Sequence, residues 1–457
     1  MCGIAGFCNF KEDFEENTDY WNFRLEKMRA VLAHRGNDAR GRYLKKHIGL
    51  SHSRLAIRDI LCGDQPMTRT HNGYEYTICY NGEIYNTDEL IPELSENGFV
   101  CSTTSDTEVI LYAYIHWGAD FVNRLNGIFA FAIWDAAKSR LLLYRDRVGV
   151  KPLFYAIRGD SLVFGSEPKA CFAHPAVKPE LDKQGLQELL AIGPAHTSGL
   201  SLFKDLFEVL PGHFMIYSQD GLHDETYWEL TSQEHTESYR DTVAHTRFLV
   251  EDAIKRQMVS DVPVCTFLSG GIDSSIVTAI AANYMNTRGK TLNTFSFDFK
   301  DNDRYFKANA FQPERDLPYV NRMLEEYETA HSYLECDENS LFKALFAAVD
   351  AKDMPGMTDV DSSLLYFCSL VSQKNKVALT GECADEIFGG YPWFYRKELL
   401  ERYGFPWSSD VAPRLALLRD DVGLELDLSG YQAFRYEESR SKAPLLYGEA
   451  GEDESAA

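Results

Sequence analysis

The stretch VPVCTFLSGGIDSS, residues 262–275, decides the fold of the C-terminal half of this chain. It opens with a mostly apolar run that ends at a Ser-Gly-Gly turn, which is typical of a strand buried on both faces. The residues that follow place Ile276, Val277 and Ile280 at helical spacing. The stretch therefore predicts a strand, a tight loop and a helix in succession.

The surrounding residues repeat this pattern. Residues 239–258 carry apolar side chains at helical spacing, and residues 291–299 and 376–380 are predicted strands with helical segments between them. Strand and helix in alternation predict an α/β domain with a parallel sheet over residues 239–457.

Residues 1–217 have a different texture, in which short apolar or alternating runs are bounded by Gly, Asn and Asp. Strands are predicted at residues 48–57, 74–80, 128–134, 140–144 and 161–165, and helices at residues 21–33 and 106–117. Strands crowded with turns predict an α+β domain of packed antiparallel sheets with helices outside them. The polar residues 218–238 are expected to link the two domains.

Length, charge and cysteine content exclude several classes of protein. A chain of 457 residues with 45% apolar and 25% charged residues is typical of two globular domains. A formal charge of −23 without a dense Lys/Arg stripe argues against a nucleic-acid partner. No apolar run reaches membrane-spanning length, and the N-terminus lacks the layout of a signal peptide. Ten cysteines without CxxC pairs indicate reduced thiols, so a cytoplasmic protein is expected.

The loop SGGIDSS, residues 269–275, is a candidate phosphate site. Its glycines permit a tight turn, and the helix that follows presents free N–H groups to an anion. It lacks the GK[ST] of a Walker loop, so a pyrophosphate cradle fits better than γ-phosphate transfer, with Asp273 available for Mg²⁺. For the loop alone, a Gly-rich turn with a Ser/Asp helix cap is an equally good explanation.

Residues 380–391, TGECADEIFGGY, favour a phosphate site at residues 269–275 over a simple Gly-rich turn. They place Glu382, Asp385 and Glu386 after the predicted strand 376–380. In a parallel sheet the carboxyl ends of the strands lie side by side, and ligands bind there. Asp273 and Asp385 are therefore expected to share a magnesium ion with the pyrophosphate.

Cys2 is a candidate nucleophile. If Met1 is removed, Cys2 carries both a thiol and a free α-amine, whose pKa of roughly 8 lets it act as the base for its own side chain. The plain alternative is a small residue that happens to follow the initiator Met, and position alone favours that alternative.

Supporting residues shift the balance toward a nucleophile. The Asn81-Gly82 pair is predicted to end a strand in a turn that sets a side-chain amide beside a backbone N–H, as an oxyanion hole requires. Arg54 offers a planar fork for a carboxylate, and Glu83 and Asp106 offer negative charge. Taken singly, each has an ordinary explanation: Asn81-Gly82 as a hairpin turn, Arg54 as a surface charge and Asp106 as a helix N-cap. Their conjunction predicts a site for an α-amino acid.

Six motifs together resemble a class II glutamine amidotransferase domain of the N-terminal-nucleophile (αββα) fold: MCGIAGF, HRG, SRLAI, YNGEIYN, SDTE and RDRVGVKPLFY. The resemblance covers about the first 215 residues. It implies Cys2 as nucleophile and amine base, Asn81 and Gly82 as the oxyanion hole, Arg54 as the carboxylate ligand, Glu83 and Asp106 as the amino-group ligands, and Ile57 in the glutamine site.

SGGIDSS and TGECADEIFGGY, in this domain order, resemble the ATP-pyrophosphatase domain of glutamine-hydrolysing asparagine synthetase, a carbon–nitrogen ligase. The resemblance implies that aspartate is activated as an acyl-adenylate, which ammonia attacks, with Glu382 serving one of these steps. It implies ATP contacts from Leu268, Ser269, Gly270, Gly271, Asp273, Ser274, Phe297, Thr380 and Gly381. Residues 354–357 and 359–363 are expected near the acceptor pocket. Glutamine, aspartate and ATP are the expected partners, and a homodimer stays open.

Two departures from the family pattern stand out. The acidic motif reads Thr-Gly-Glu-Cys-Ala where the family commonly has Ser-Gly-Glu-Gly-Ser. Relatives also continue beyond this point with motifs that complete the synthetase site, so the second domain is expected to be C-terminally short, with glutamine hydrolysis retained and little asparagine made. A different carboxylate acceptor, or a form that keeps only glutaminase activity and nucleotide binding, are the alternatives.

Overall fold

The computed structural model describes residues 1–308, 314–408 and 410–442, and the acidic tail 448–457 lies outside them. Twelve strands belong to the N-terminal half, here residues 1–228. In chain order they are β1 Gly3–Asn9, β2 Ala39–Lys45, β3 Ile48–Arg54, β4 Met67–His71, β5 Tyr74–Ile84, β6 Gly127–Asp135, β7 Arg140–Arg145, β8 Phe154–Arg158, β9 Ser161–Gly165, β10 Phe207–Glu208, β11 His213–Ser218 and β12 Gly221–Thr226.

These strands form two antiparallel six-stranded sheets. One has the order β10-β8-β9-β1-β3-β2 and the other β12-β11-β7-β6-β5-β4. Five α-helices accompany them: α1 Thr18–Ala30, α2 Thr87–Glu96, α3 Asp106–Trp117, α4 Pro168–Phe172 and α5 Lys183–Gln187.

Three buried clusters define the layers of this half. One lies between the two sheets, around Ile4 and Cys79. Another joins the second sheet to α2 and α3, and a third joins the first sheet to α1 and α4. The predicted αββα arrangement is confirmed.

The C-terminal half, from residue 239 onward, contains a four-stranded parallel sheet. Its strands are β13 Val264–Phe267, β14 Leu292–Phe299, β15 Thr329–Cys336 and β16 Val377–Leu379. Their order is β15-β14-β13-β16, so the chain reverses its direction of winding between β13 and β16. Such a switch point leaves a crevice at the carboxyl ends of the two strands. The predicted parallel sheet is confirmed.

Helices cover both faces of this sheet and continue to residue 442. They are α6 Tyr239–Arg256, α7 Ile272–Asn286, α8 Asn302–Tyr305, α9 Leu317–Glu326, α10 Glu338–Lys352, α11 Thr358–Val371, α12 Ala384–Phe388, α13 Lys397–Leu400, α14 Ala412–Leu415, α15 Asp420–Leu426 and α16 Leu428–Lys442. None of the described helices has the length and apolar content to span a bilayer.

Two local expectations differ from the structure. Asn81 and Gly82 do not form a turn, because β5 continues to Ile84 and pairs Asn81 with Ala130 and Gly82 with Phe129 of β6. Residues 221–226, expected within the linker, form β12 and pair with β11. The connection without regular structure is therefore shorter than residues 218–238.

The two halves touch at several places. The backbone N–H of Asp59 donates to Asp261 Oδ2 at 2.8 Å, and the Lys376 ammonium contacts the Asp38 carboxylate at 2.7 Å. Helices α15 and α16 pack on residues 186–192 of the N-terminal half, where the buried Glu188 accepts a hydrogen bond from the Tyr431 hydroxyl.

Candidate active sites

Cys2 lies immediately before β1, at the edge of the layer between the two sheets. Its Sγ is 3.4 Å from the backbone nitrogen of Leu55, which donates to it, and 3.6 Å from the Leu55 carbonyl oxygen. The Cys2 carbonyl accepts a 2.9 Å hydrogen bond from Arg35 Nε. The nucleophile predicted from sequence is thus held by backbone groups that follow β3 and by one buried guanidinium.

Strand β5 runs beside Cys2 and divides its side chains between two layers. Cys79 belongs to the cluster between the sheets, whereas Tyr80 and Ile84 belong to the cluster under α3. Because side chains alternate along a strand, Asn81 and Glu83 point to the same layer as Cys79, toward Cys2. Local strand geometry therefore brings the predicted oxyanion and ammonium ligands to one side.

Gly82 is required by the close approach of β6. A Cβ atom at this position would lie 2.3 Å from the Ile128 carbonyl oxygen, so no larger residue fits. The backbone N–H groups of Tyr80 and Ile84 point away from β6, to Gln65 and Asp106. Hydrogen-bonding directions alternate along a strand, so the N–H of Gly82 points to that same side, where a small cavity lies.

This cavity is lined by residues of both charges. They are Cys2, Arg54, Leu55, Ile57, Arg58, Gly63, Gln65, Tyr80, Gly82, Glu83, Ser105, Asp106 and Thr107. Its volume is about 30 Å³, which is far smaller than the pockets that usually hold small-molecule ligands.

Two side-chain atoms of β5 are buried without a hydrogen-bond partner in the described part of the chain: Asn81 Nδ2 and Glu83 Oε2. Buried polar atoms are nearly always paired, so such atoms point to a ligand. Asn81 Nδ2 is a donor suited to an oxyanion, and Glu83 Oε2 is an acceptor suited to an ammonium group.

Asp106 and Glu83 form a buried acidic pair. Asp106 accepts hydrogen bonds from the Tyr80 hydroxyl at 2.9 Å and the Ile84 nitrogen at 3.0 Å. Burial raises the pKa of Asp106. Burial, followed by the charge of Asp106, holds the pKa of Glu83 well above its ordinary value. Both pKa values would fall if a cation entered the cavity, which is what the ammonium group of an amino acid would do.

Arg54 is buried and already engaged. Its guanidinium donates to the backbone oxygens of Arg58, Asp59 and Ile60 and to the Asp64 carboxylate. It therefore holds the loop 58–64 over the cavity that it also lines. Ile57, beside this loop, accepts a 3.0 Å hydrogen bond from Asp261 through its carbonyl.

The protonation states around Cys2 favour a neutral amine over a thiolate. Burial raises the pKa of the Cys2 thiol. Burial, together with the charges of Arg35 and Lys151, lowers the pKa of the α-amine of Met1 to about 5. The amine of Met1 is therefore a free base at neutral pH. After removal of Met1, the α-amine of Cys2 would lie one residue further along in the same buried surroundings, where burial and nearby positive charge also favour the neutral form.

The loop 268–271 lies at the carboxyl end of β13. Gly270 has φ +85°, and a Cβ there would lie 2.8 Å from Tyr319, so glycine is needed for both reasons. Ser274 Oγ is 3.0 Å from Ser269 Oγ and accepts from the Ser269 nitrogen at 3.2 Å. Gly271 precedes α7 without a side-chain cap, which leaves the first N–H groups of the helix facing the loop.

Residues 380–385 lie directly beside this loop. A Cβ on Gly381 would be 2.8 Å from Asp273 Cβ and 2.9 Å from the Ser274 nitrogen. Burial, followed by the charge of Asp385, raises the pKa of Asp273, so the two carboxylates are neighbours. Both lie at the switch point between β13 and β16, as expected for a ligand site.

The other predicted nucleotide residues are spread around this crevice. Thr380 and Glu382 are exposed on the loop after β16. Phe297 on β14 packs against Phe367, with ring centroids 5.2 Å apart. Leu268 is buried. Its backbone N–H donates to the Phe295 carbonyl, and its own carbonyl accepts from the Ser296 hydroxyl, so β14 anchors the start of the loop.

Several residues of the first site were not singled out by sequence. Arg35 and Lys151 lie within the quoted motifs HRG and RDRVGVKPLFY, so their positions were the available signal. Arg58, whose Nη1 is 4.0 Å from the Asp106 carboxylate, follows Arg54 by four residues. Glu167, which pairs with Arg35 at 2.7 Å, lies outside every motif, and nothing in the sequence pointed to it.

Comparison with known proteins matches both halves. Residues 1–228 match the family described as a glutamine amidotransferase domain, and residues 245–456 match the family described as asparagine synthase. Glutamine-hydrolysing asparagine synthetase 3 of Bacillus subtilis (strain 168) is 47% identical over 456 residues, covering 100% of this chain and 73% of that protein.

Two further relatives are more distant. Glutamine-hydrolysing asparagine synthetase 1 of the same organism is 32% identical over 401 residues, covering 87% of this chain and 60% of that protein. Amidase chyE of Penicillium rubens is 31% identical over 430 residues, covering 90% of this chain and 62% of that protein. The similarity thus extends through both halves and both candidate sites.

Proposed function

Because this chain belongs to the family of glutamine-hydrolysing asparagine synthetases, we propose that it hydrolyses glutamine at Cys2 and transfers the ammonia to aspartate activated by ATP. The observation that carries the first half of this proposal is the pair of unpartnered buried atoms, Asn81 Nδ2 and Glu83 Oε2, on the Cys2 side of β5. One complements the oxyanion of a tetrahedral intermediate and the other complements the ammonium group of glutamine.

In the proposed first reaction, the free α-amine of Cys2 accepts the thiol proton after Met1 has been removed. The sulfur attacks the side-chain amide carbon of glutamine, ammonia leaves, and water hydrolyses the thioester to glutamate. Asn81 Nδ2 and the Gly82 N–H would stabilise the oxyanion, and Gly82 lines the cavity beside Cys2.

Binding of the substrate follows from the charges that line the cavity. Glu83 and Asp106 would hold the ammonium group of glutamine, and Arg54, beside Ile57, would hold its carboxylate. Since Arg54 also binds the loop 58–64, carboxylate binding and loop position are linked through one guanidinium.

In the proposed second reaction, the aspartate side chain attacks the α-phosphorus of ATP, which gives β-aspartyl-AMP and pyrophosphate, and ammonia then displaces AMP to form asparagine. The loop 269–274 with the start of α7 would cradle the phosphates, and Thr380 and Gly381 would contact the nucleotide across the crevice. Leu268 and Phe297 would flank it, and Glu382 would serve adenylate formation or its attack by ammonia.

The residues present also fit a magnesium ion. Asp273 and Asp385 are neighbouring carboxylates, and the pKa of Asp273 is raised by burial and then by Asp385, a repulsion that a cation relieves. No group of three or more metal-binding side chains occurs among the described residues, so the pyrophosphate would supply further oxygen ligands. Bound Mg²⁺ would neutralise phosphate charge.

Replacing the nucleophile tests the proposal. Cys2→Ala should abolish glutamine hydrolysis while leaving ATP binding intact, because the two sites are separate. Cys368→Ala, which removes a cysteine of α11 in the C-terminal half, is the matched control and should retain the parent rate of glutamine hydrolysis. Mass spectrometry of the active protein should show Met1 absent. Glutamine hydrolysis at the parent rate in Cys2→Ala would refute the assignment.

A further inference from the structure

Residues 166–169 form a segment whose side chains and backbone bind the residues that position Cys2. The Ile4 nitrogen donates to Ser166 Oγ at 3.0 Å, and the Ser166 nitrogen donates to the Ile4 carbonyl at 2.9 Å. Glu167 Oε1 accepts from Arg35 Nη1 at 2.7 Å. Arg35 in turn donates to the Cys2 carbonyl, so this segment supports the nucleophile through β1 and through Arg35.

The same segment ends at a contact with the C-terminal half. The backbone N–H of Lys169 donates to Asp353 Oδ2 at 2.9 Å, and the side-chain Nζ of Lys169 is 3.2 Å from Asp353 Oδ1. Lys169 Nζ is also 3.3 Å from Glu167 Oε2. A continuous chain of charged groups therefore runs from the Cys2 carbonyl to a carboxylate on the other half of the molecule.

Asp353 lies at the end of α10, where it adopts the left-handed conformation with φ 60°. The next residues, 354–357, form the turn into α11. Lys352 Nζ donates to Asp361 on α11 at 2.8 Å, which ties the other side of this turn. Asp353 is therefore directly adjacent to residues 354–357, the segment that is predicted to lie near the acceptor pocket.

Part of this chain of contacts is buried and conformationally restricted. Ser166 and Glu167 are buried, and Pro168 opens α4 with its φ fixed by the ring. Although burial alone would raise it, the hydrogen bonds from His34 and Arg35 and their charges lower the pKa of Glu167 to about 2, so this carboxylate stays charged.

We propose that Asp353 is a positioning residue for the Cys2 chemistry, acting through Lys169, Glu167 and Arg35. This inference rests on the proposed glutamine hydrolysis. It assigns to one carboxylate of the synthetase half the task of holding the Cys2 backbone in its reactive position. Asp353 touches neither glutamine nor the thiol, so its loss should lower turnover without weakening glutamine binding.

The test compares the full-length Asp353→Asn and Lys169→Met variants with the parent. We expect kcat for glutamine hydrolysis to fall roughly three- to tenfold, with KM for glutamine changed less than about twofold. Lys169→Arg, which keeps the ion pair, should retain the parent kcat. Glu89→Gln is the matched control, because it removes another ion pair between the halves, Arg256–Glu89 at 2.6 Å, that has no link to Cys2.

A second readout is the rate at which iodoacetamide alkylates Cys2, measured by peptide mass, which should fall in the same two variants. It needs no glutamine, so it remains decisive if the parent hydrolyses none, a result that would refute only the proposed function. Parent-like kcat and alkylation in the folded Asp353→Asn and Lys169→Met proteins would overturn the inference. An equal loss in Glu89→Gln would also overturn it, since general loosening of the halves would then explain the effect.

Discussion

At Asn81 the backbone belongs to an ordinary strand, while the side chain carries a buried nitrogen without a hydrogen-bond partner in the described residues. That nitrogen is available to an oxyanion, so Asn81→Ala should lower kcat for glutamine hydrolysis by about 10²–10³-fold with little change in KM. Asn97→Ala, at the end of α2, is the control and should leave kcat unchanged. Steady-state assay of glutamate formation provides the measurement, and a parent-like kcat would exclude an oxyanion role.

Lys151 offers a test of the amine base. Its positive charge is one of the causes that lower the pKa of the α-amine of Met1, and we expect it to act in the same direction on the α-amine of Cys2 once Met1 has been removed. Lys151→Met should raise that pKa, so the acid limb of the kcat/KM profile for glutamine should move to higher pH by about half a unit. Lys151→Arg keeps the charge and should keep the profile. An acid limb that stays in place in Lys151→Met would mean that the amine is not the base.

Among the elements, α3 shows how a helix start organises the loop beside the site. Glu108 is buried in its first turn and accepts hydrogen bonds from Ser102, Thr103 and Arg69. Burial alone would raise its pKa, but these hydrogen bonds lower the pKa of Glu108 to about 2 from 4.5. The loop 102–105, which carries the N-cap Ser105, is therefore held mainly by the Glu108 carboxylate, with a further hydrogen bond from the Thr104 nitrogen to Asp59 Oδ2.

A pKa lowered in the folded state stabilises the protein above the unfolded pKa and loses that contribution as pH falls through the folded value. Glu108→Gln should therefore lower the free energy of unfolding by about 2 kcal/mol at neutral pH. The difference from the parent should shrink as the pH falls from about 5 toward 2. Denaturant unfolding across this range measures it, with the exposed Glu96→Gln as the control. A pH-independent difference would show that the charge of Glu108 is not what matters.

For the whole molecule, the two candidate sites use different elements and should fail separately. Asp273→Asn and Asp385→Asn should abolish Mg²⁺-dependent pyrophosphate release and weaken binding of ATP with Mg²⁺, while glutamine hydrolysis is largely kept. Asp421→Asn, on the surface of α15, is the control. If both carboxylate variants bind ATP and release pyrophosphate as the parent does, these residues cap loops and hold no metal.

Local sequence was sufficient where neighbouring residues decide the structure. Residues 106–117 were predicted as a helix and form α3 with the same bounds. Ser105 caps its first turn through its side chain, and Gly118, with φ 77°, ends it. Both signals lie within the segment itself, so no distant contact was needed to read them.

Local sequence failed at Asn81-Gly82, where turn preference and strand pairing compete. Pairing with β6 extends the strand through both residues, and glycine is needed because the Ile128 carbonyl approaches closely. The dipeptide is a strong turn signal only when no neighbouring strand claims it. Here the partner strand lies more than forty residues away in the sequence, so only the fold could settle the conformation.

The sequence by itself determined the two architectures, the candidate nucleophile and the candidate phosphate loop, because apolar periodicity and compact motifs are written in neighbouring residues. Only the tertiary structure decided which charges meet across the chain. The contact of Glu167 with Arg35 joins residues 132 positions apart, and that of Lys169 with Asp353 joins residues 184 positions apart. Such pairs leave no periodic trace in one sequence, since each depends on where the packed sheets and helices place the two side chains.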